Sequence, residues 1–549
     1  MTDSTSTDNG ARADAARVDV LVAGGGLAGL STAMFLARRG IRVMVAEKHP
    51  GTSIHPRAAG QNPRTMELLR LGGIAEEVRR VSDIRGSQGV FTIKIAESVR
   101  GRVFDTFAES FEDLVGATAE CAPEPWALVA QDRLEPIMLD QARRFGATVV
   151  FGTEVVSFEQ DGDGVTVVLR DRAGGGERAV RAGYLVAADG DRSPIRERLA
   201  IPRYGYGTLA HVMGMIFEAD LSEVLPPGAS GLYYLRHPKF TGAFGVTDRP
   251  EWHTFWAEYD PARGESAADF TPERWTELIR LGLDAPDLRV RLLEALPWEM
   301  AARIAHRWRH GRVFLAGDAA KVNPPTGGLG GNTAIGDGFD LAWKLAAVLH
   351  GEAGPGLLDS YEKERRQVAE LVVDESLYLY AHRLAPHMAG AVPAETGYAQ
   401  VILGFRYRSD AVVVEDGDPV RAEDPARASG RPGFRAPHLW VERGGERCST
   451  IDLFGRGWVV VCGPRGGAWA AAAARLAREL GVRVEGLRAG ADVRDPDGEL
   501  ARRYGIGAAG ASLVRPDGVV AWRTAEEAGD GEEAAVAALR GVLMRVLAR

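Results

Sequence analysis

The first residues of chemical interest form a glycine cluster near the N-terminal end of the chain. Residues 24–29 read GGGLAG, so Gly24, Gly26 and Gly29 fit the spacing G-x-G-x-x-G. Such glycines allow a tight turn and a close approach to a pyrophosphate, which the N-terminus of the next helix then binds. Glu47 follows Gly29 by 18 residues, where a carboxylate accepts hydrogen bonds from an adenosine ribose. The pattern predicts a dinucleotide site.

Two later segments also end an apolar run with an aspartate beside a glycine. Residues 184–196 read YLVAADGDRSPIR, and residues 311–318 read GRVFLAGD. The carboxyls of Asp189 and Asp318 would lie at strand ends, where they can accept hydrogen bonds from sugar or ribityl hydroxyls. After Asp318, the segment AAKVNPPTGGLGGNTAIGDGFDLAWKLA places prolines and glycines before a helix.

The elements that position these residues follow from hydrophobic spacing. Apolar runs at 18–23 and 41–48 flank a helical pattern and predict one βαβ unit. The β-rich, aromatic segment 205–260 is typical of an antiparallel sheet. Helices are expected at the following ranges: 63–80, 132–144, 272–283, 287–295, 333–349 and 357–385.

Composition narrows the function classes. The chain has 549 residues and a net charge of −9, so it lacks the basic surplus of a nucleic-acid binder. No apolar run reaches the roughly 18 residues that a bilayer span needs, and residues 1–17 are too polar for a signal peptide. A cytoplasmic protein without a membrane segment is expected. The three cysteines and eleven histidines show no metal-ligand spacing, so no metal site is predicted.

Together the three motifs resemble those of the FAD-dependent aromatic hydroxylases, the group A flavoprotein monooxygenases. GGGLAG with Glu47, AADGDRSPIR and GDAAKVNPPTGG occur in the order and spacing of that family, over about residues 18–400. The segments AAGQNPRTMELLR, GGLGGNTAIGDGFDLAWKLA and AHRLAPHM are most similar to hydroxylases of aromatic polyketides of the aklavinone, or anthracycline, type.

The resemblance implies an α/β fold: a Rossmann-type FAD-binding domain, an inserted antiparallel β-sheet substrate domain and a C-terminal thioredoxin-like domain. The last lacks a CxxC pair, and Cys462 is expected to be a buried structural thiol. The expected organisation is a disordered tail (1–17), a discontinuous FAD domain (18–204 and 296–407), the inserted sheet (205–295), a linker (408–439) and the thioredoxin-like domain (440–549).

The resemblance also assigns cofactor contacts. Glu47 would hold the adenosine ribose, Asp318 the ribityl or phosphate region, and Gln131 another part of the FAD. Arg57 and Arg64 would lie near the ribityl or pyrophosphate region, and Asp189 and Arg196 belong to a motif tied to both FAD and NADPH. The other expected FAD contacts are Gly24, Gly26, Leu27, Ala28, Gly29, Lys48, Pro325, Gly328, Leu329, Gly330, Gly331 and Asn332. Lys321 stands where many members have His and is interpreted as charge support.

The implied reaction uses NADPH and O2 to hydroxylate a polycyclic phenolic substrate through a flavin C4a-hydroperoxide. A homodimer is compatible with it. Same-fold alternatives are Baeyer–Villiger or epoxidation chemistry and inactivation of an antibiotic by hydroxylation. A more distant alternative is a flavin-binding protein without catalysis, and residues 440–549 could serve only folding or dimer contacts.

Tyr234 and Arg383 are the candidate catalytic residues. Tyr234 would relay or accept a phenolic hydrogen bond, and the fixed charge of Arg383 would stabilise a phenolate. The structural alternatives are a sheet-packing aromatic and an ion pair, while His55 and His387 are alternative catalytic groups. The inserted sheet also carries six aromatics that form either an ordinary core or a flat substrate pocket: Phe217, Tyr233, Phe240, Phe244, Phe255 and Trp256.

Overall fold

The computed structural model describes residues 16–82, 91–247, 252–415, 417, 419–529 and 531–549. The predicted tail therefore lies outside the described residues up to residue 15, whereas residues 16 and 17 already belong to the first strand.

The described strands run from the N-terminal to the C-terminal part of the chain. In chain order they are β1 (Ala16–Ala23), β2 (Val43–Ala46), β3 (Gly60–Gln61), β4 (Phe91–Ala96), β5 (Val103–Ala108), β6 (Ala127–Leu128), β7 (Thr148–Val150), β8 (Thr153–Gln160), β9 (Val165–Asp171), β10 (Glu177–Ala187), β11 (Arg203–Glu218), β12 (Ser230–His237), β13 (Phe240–Val246), β14 (Trp252–Tyr259), β15 (Arg291–Ala305), β16 (Arg309–His310), β17 (Val313–Leu315), β18 (Lys321–Val322), β19 (Trp440–Arg443), β20 (Glu446–Ser449), β21 (Trp458–Cys462), β22 (Val484–Arg488), β23 (Ala511–Val514) and β24 (Val520–Thr524).

The described helices alternate with these strands. In chain order they are α1 (Leu27–Arg38), α2 (Pro63–Leu71), α3 (Ala75–Val81), α4 (Phe111–Val115), α5 (Gln131–Arg144), α6 (Pro194–Arg198), α7 (Pro272–Leu283), α8 (Leu329–Leu349), α9 (Asp359–Arg383), α10 (Tyr398–Leu403), α11 (Gly467–Leu480), α12 (Leu500–Arg503) and α13 (Glu532–Val546). None of them is long and apolar enough to cross a membrane.

The first sheet has the order β16-β17-β10-β1-β2-β7, with β17, β10, β1, β2 and β7 parallel, β16 antiparallel to β17, and β8 and β9 attached through β10. The C-terminal parts of its central strands are buried, as continuous apolar runs in parallel sheets are. Helices α1 and α8 pack closely at Gly338, which has no side chain. A Cβ added there would lie only 2.7 Å from the carbonyl oxygen of Ala28. This contact joins the first βαβ unit to the helix that follows the third motif.

The second sheet has the order β18-β15-β11-β14-β13-β12-β4-β5. It extends beyond the predicted insertion at 205–295 on both sides, since β4 and β5 come from residues 91–108 and β15 runs to Ala305. The helix predicted at 287–295 is wrong. Residues 287–290 form no regular element, and residues 291–295 begin β15, whose pairing with β11 over the length of both strands overrides the local helical spacing.

The helix predicted at 63–80 is two helices, α2 and α3. They are separated at Gly72 and Gly73, and Gly73 has a φ of +80°, which a helix interior does not allow.

Residues 429–549 contain a third, four-stranded sheet. Its order is β22-β21-β23-β24, with β21 and β22 parallel and connected by α11, and with β23 and β24 antiparallel. Helices α11 and α13 share its apolar core. In the predicted linker, 408–439, the described residues form no helix or strand apart from a 3-10 turn at Pro425–Arg427.

Candidate active site

The three motifs meet at one edge of the first sheet. Ala23 pairs with Ala46 and Ala187, and Ala187 pairs with Leu315, so these four parallel strands end in register. Gly24, Glu47, Asp189 and Asp318 follow these ends along the chain. Ligands of open α/β sheets bind beyond the carboxyl ends of the strands, which is where this edge presents its polar groups.

The glycine cluster forms a turn that no larger residue would fit. Gly24 has a φ of +100°, and a Cβ there would lie 2.2 Å from the carbonyl oxygen of Ala188. A Cβ on Gly29 would lie 2.0 Å from the carbonyl oxygen of Gly24. Gly26 is the N-cap of α1, with Leu27 and Ala28 in its first turn, so unpaired helix N–H groups are available to an anion.

Glu47 lies beside this turn at the end of β2. Its Oε2 accepts a hydrogen bond from the Gly25 N–H at 2.6 Å, and its Oε1 accepts one from the His49 N–H at 2.8 Å. The carboxylate is therefore held in one orientation. Lys48, the next residue, is exposed.

Gln131 and Arg57 lie at the same end of the site. The Gln131 N–H donates to the carbonyl oxygen of Arg57 at 2.7 Å, and its Nε2 donates to Glu135 Oε1 at 2.5 Å. Burial raises the pKa of the Glu135 carboxyl, while the charge of Arg57 opposes that shift. A Cβ on Gly26 would lie 3.7 Å from Glu135. Sequence reasoning missed Glu135, although its spacing from Gln131 is that of facing residues on a helix.

The second motif contains an unsatisfied buried atom. Asp189 Oδ2 accepts a hydrogen bond from the Ile195 N–H at 3.3 Å, whereas Oδ1 is buried and has no partner among the described residues. Burial raises the pKa of this carboxyl. Arg196 is buried and donates to the carbonyl oxygen of Ala319 at 3.1 Å, which ties the second motif to the third.

In the third motif, Asp318 lies deep in the cleft but its side chain remains open to it. The surrounding protein raises the pKa of its carboxyl, against the opposing charges of Lys321 and Arg57. Lys321 is itself buried, and this burial lowers its pKa. Asp337 Oδ2 accepts the Gly317 N–H at 3.1 Å and so fixes the turn before Asp318.

Helix α8 begins four residues earlier than predicted, with Gly328 as its N-cap at a φ of +64°. Leu329, Gly330, Gly331 and Asn332 therefore form its first turn, and the N–H groups of the first three lack helical partners. No atom lies within 4 Å of the position of a Cβ on Gly328. Pro324 is buried and Pro325 is exposed beside this turn.

The side chain of Asn332 has a structural role. Its amide donates to the carbonyl oxygens of Gly60 and Gly328, both at 2.8 Å, and its oxygen accepts the Asn62 N–H at 2.9 Å. The Arg64 guanidinium pairs with Glu67 at 3.0 Å and donates to the carbonyl oxygen of Asp517.

The cleft fits a long dinucleotide. Two helix N-termini, capped by Gly26 and Gly328, lie side by side here, since a Cβ on Gly331 would be 3.0 Å from Leu27 Cδ1. The open carboxyl of Asp318 and the unpartnered Oδ1 of Asp189 follow the ends of the neighbouring strands. FAD has a pyrophosphate, polyol hydroxyls and a flavin ring, and these N–H groups and carboxyls are suitable donors and acceptors for them.

Tyr234 and Arg383, the two predicted catalytic residues, are in direct contact. Arg383 Nη1 donates to the hydroxyl oxygen of Tyr234 at 3.2 Å, and its guanidinium lies 4.5 Å from the ring centroid of Phe107. Tyr234 is buried in the second sheet, and Arg383 is the last residue of α9. Tyr234 also packs as a buried aromatic of the sheet, as its structural alternative predicts. Arg383 forms no ion pair with a described residue, so its structural alternative is not met.

Tyr398 connects this pair to the start of α8. Its hydroxyl donates to the carbonyl oxygen of Gly327 at 2.6 Å. Burial raises its pKa, and the nearby charge of Arg383 opposes that shift. Tyr234 and Arg383 therefore lie near Tyr398 and the residues that precede α8. Sequence reasoning had no signal for Tyr398, which follows a loop.

A titratable group lies on the same face of the second sheet. Tyr234 pairs with Ala243, which pairs with Trp256, so Trp256 and Glu258 share the face of Tyr234. Burial raises the pKa of Glu258 to about 7. The Tyr380 hydroxyl lies 3.4 Å from its Oε1.

The two histidine alternatives are not at this contact. His55 Nδ1 lies 3.6 Å from a carboxylate oxygen of Glu294, and His387 is exposed on the 3-10 turn Pro386–Met388.

The aromatics of the second sheet divide between its two faces: the near face, which carries Tyr234, and the far face opposite to it. Five of the six pack with α7 in an apolar core on the far face: Phe217, Tyr233, Phe240, Phe244 and Phe255. Trp256 alone lies on the near face, in edge-to-face contact with Trp298 at 6.1 Å. For the five, the core alternative is correct, because successive residues of a strand point to opposite faces.

Three buried acids, Asp340, Glu364 and Asp517, come close enough together to hold a metal ion. Lys344 Nζ lies 2.7 Å from Asp340 and 2.6 Å from Glu364, and Arg515 also donates to Glu364. The two cations already occupy this cluster and neutralise most of its charge.

Comparison with known proteins agrees with the geometry. A family model described as "FAD binding domain" matches residues 17–376, and one described as "Aromatic-ring hydroxylase, C-terminal" matches residues 429–549. An aklavinone 12-hydroxylase of Streptomyces purpurascens is 60% identical over 534 residues, which cover 97% of this chain and 99% of the relative. A tetracenomycin A2 monooxygenase-dioxygenase of Streptomyces glaucescens is 41% identical and covers 97% of each chain.

A solved structure extends the likeness to the whole fold. The crystal structure of a ternary complex of aklavinone-11 hydroxylase with FAD and aklavinone matches with a TM-score of 0.94 and 59% identity, covering 98% of this chain and 100% of that chain. The flavin-dependent monooxygenase PieE, solved with FAD and substrate, matches with a TM-score of 0.84 and 32% identity. The match covers 97% of this chain and 99% of that chain. The resemblance predicted from the three motifs is confirmed, and the chain belongs to the FAD-dependent aromatic-ring hydroxylases.

Proposed function

We propose that this enzyme uses NADPH and O2 to hydroxylate an aromatic ring of an aklavinone-type polyketide. The observation that carries the proposal is the contact between Arg383 and Tyr234, 3.2 Å, beside the cleft end marked by Gly327 and Tyr398. Support for the substrate class comes from relatives named as aklavinone hydroxylases, at 60% and 63% identity.

The cofactor contacts assigned by sequence are part of this proposal. The α1 N-terminus would bind the pyrophosphate, Glu47 the ribose, and Asp318 the ribityl hydroxyls. The first turn of α8, from Leu329 to Asn332, would face the flavin ring, where helix N–H groups stabilise negative charge. When bound, FAD supplies the electrons taken from NADPH and activates O2 for transfer of one oxygen atom.

The residues of this chain prepare the substrate. The fixed charge of Arg383 lowers the pKa of a phenol placed beside it and stabilises the resulting phenolate. Tyr234 accepts from Arg383, so its own proton is free to be donated to a substrate oxygen. Buried apolar side chains of the near face, among them Ile95, Val212 and Met300, exclude water from this region.

The test is the reaction of the FAD-loaded protein with aklavinone, NADPH and O2. A product one oxygen atom heavier supports the proposal, and NMR of the product identifies the hydroxylated carbon. Ring expansion or an epoxide would favour the two same-fold alternatives, and turnover of a finished antibiotic but not of aklavinone would favour inactivation. NADPH oxidation that aklavinone does not accelerate would contradict the proposal.

Arg383→Gln separates the proposed chemistry from cofactor binding. Removal of the charge should raise the activation free energy of hydroxylation by about 1–3 kcal/mol, because the phenolate loses a charged partner. The rate of flavin reduction should change much less. Unchanged coupling of NADPH to product in stopped-flow and product assays would refute the role of Arg383.

For the C-terminal unit we propose a thioredoxin-like fold without redox function. The strand order β22-β21-β23-β24 with flanking α11 and α13 supports the fold. Burial raises the pKa of Cys462 to about 12, which keeps its thiol unreactive. The Rossmann-type topology of the FAD domain, the domain boundaries, the cytoplasmic location and a homodimer likewise remain predictions.

A further inference from the structure

Arg236 lies on β12, two residues after Tyr234 and therefore on the same face of the sheet. Its Nε donates to the carbonyl oxygen of Arg383 at 2.7 Å, and its Nη2 donates to the carbonyl oxygen of His382. One guanidinium thus binds the carbonyls of the last two residues of α9.

The carbonyls at the C-terminus of a helix have no helical partners, and a cation there also offsets the helix dipole. Leu384, the C-cap, has a φ of −123° and leaves the helix. The bonds to Arg236 replace the missing intrahelical ones at His382 and Arg383. The end of α9 is therefore attached to the strand that carries Tyr234.

The side chain of Arg383 has little else to hold it in place. Nη1 bonds to Tyr234, and the guanidinium stacks on Phe107, which is partly exposed. Its Nε is buried without a hydrogen-bond partner among the described residues. The direction of this side chain consequently depends on where its backbone is fixed.

We propose that Arg236 is a positioning residue for the hydroxylation: it fixes the backbone of Arg383 so that the Arg383 guanidinium meets Tyr234 and the substrate oxygen. This role rests on the function proposed above for Arg383. Arg236 itself does not contact the reacting ring, because its nitrogens are directed at the end of α9.

The experiment compares Arg236→Gln, Arg236→Lys and Arg383→Gln in the FAD-loaded full chain. The control is Arg291→Gln, which removes an exposed arginine of the same sheet that pairs with Glu218. The readouts are the apparent pKa of bound aklavinone, from difference absorbance against pH, the kcat and KM for aklavinone, FAD content and melting temperature.

Arg236→Gln should raise the pKa of bound aklavinone in the same direction as Arg383→Gln but by less. It should lower kcat about tenfold, since a misplaced catalytic group slows the reaction. Its KM should stay within the range measured for the Arg291→Gln control. Arg236→Lys should restore part of both values, because an ammonium also donates to carbonyls. Arg291→Gln should behave as the parent enzyme.

Two results would overturn the proposal. In the first, Arg383→Gln shifts the ligand pKa and Arg236→Gln does not. In the second, Arg236→Gln and Arg236→Lys lose FAD content and melting temperature equally, which indicates a purely structural role. If Arg383→Gln leaves the ligand pKa and the coupling unchanged, the function proposed for Arg383 fails first, and the role of Arg236 fails with it.

Discussion

At the residue scale, the site is built from carboxyl groups that the fold places in poorly solvated surroundings. Burial raises the pKa of Asp318 at the cofactor cleft and of Glu258 on the near face of the second sheet. The charges of Lys321 and Arg57 oppose the rise in the pKa of Asp318. Glu258 has only the hydroxyl of Tyr380 as a described hydrogen-bond partner. The two carboxyls should therefore respond differently to substitution.

Asp318→Ala should weaken FAD retention, because the cleft loses an acceptor for polyol hydroxyls and the buried Lys321 loses a counter-charge. The measurement is the FAD content of the purified protein and the Kd for FAD after its removal. Asp359→Ala is the control, since Asp359 forms an exposed pair with Arg309. An Asp318→Ala protein with full flavin content would refute the role.

Glu258→Gln should flatten the dependence of stability on pH. The folded-state pKa of Glu258 is raised to about 7 from 4.5, so the folded protein binds the proton more tightly than the unfolded chain does. The parent should lose stability as pH rises from about 4.5 to 7, by about 1–3 kcal/mol from this group after allowance for its partial exposure. Urea unfolding from pH 5 to 8 measures this, and identical slopes for parent and variant would contradict it.

At the element scale, the cofactor cleft depends on two helices that touch at glycines. Gly338 of α8 lies so close to α1 that a Cβ there would be 2.7 Å from both the Ala28 oxygen and the Thr32 nitrogen. Backbone atoms cannot move aside as a flexible side chain can. The close packing of α1 against α8 therefore fixes how the N-termini of the two helices are placed relative to each other.

Gly338→Ala should push these helices apart, lowering the free energy of unfolding by about 1–3 kcal/mol through overpacking and weakening FAD binding. Gly541→Ala is a matched control on helix α13, because a Cβ at Gly541 meets no atom within 4 Å and alanine favours a helix. Denaturant unfolding and FAD titration give both values. An FAD affinity in Gly338→Ala equal to that of the control would exclude the coupling.

At the scale of the whole molecule, the C-terminal unit completes the interior beneath the FAD-binding helices. Arg515 donates to Glu364 at 2.6 and 2.8 Å, and all these atoms are fully buried. Trp343 of α8 packs against Trp458 with ring centroids 6.0 Å apart. Arg435 also pairs with the buried Glu67 of α2. Removal of the unit would leave two buried acids without these partners.

A chain that ends at residue 405 should be insoluble or should purify with little FAD, because it exposes the apolar surface of α8 around Trp343 and leaves Glu364 without Arg515. Expression yield, FAD content and unfolding of the truncated chain measure this. A soluble and fully active truncated protein would show that residues 440–549 have no structural role.

By itself, the sequence determined the parts of this protein that local chemistry dictates. The G-x-G-x-x-G turn at Gly24–Gly29 and the acids at the ends of buried strands have few physical alternatives, so the family and the cofactor cleft could be predicted from them. The helix at 272–283 was predicted at its observed bounds, since its apolar spacing agrees with its packing.

Only the tertiary structure decided what depends on distant pairing. The segment 287–295 has helical spacing, but residues 291–295 pair with β11 and form a strand. Strand alternation places five of the six aromatics on the far face. Arg64 proved to bond to Asp517, 453 residues away. Arg236 and Tyr398 have no sequence signal, because their roles come from contacts between elements, which spacing along the chain does not encode.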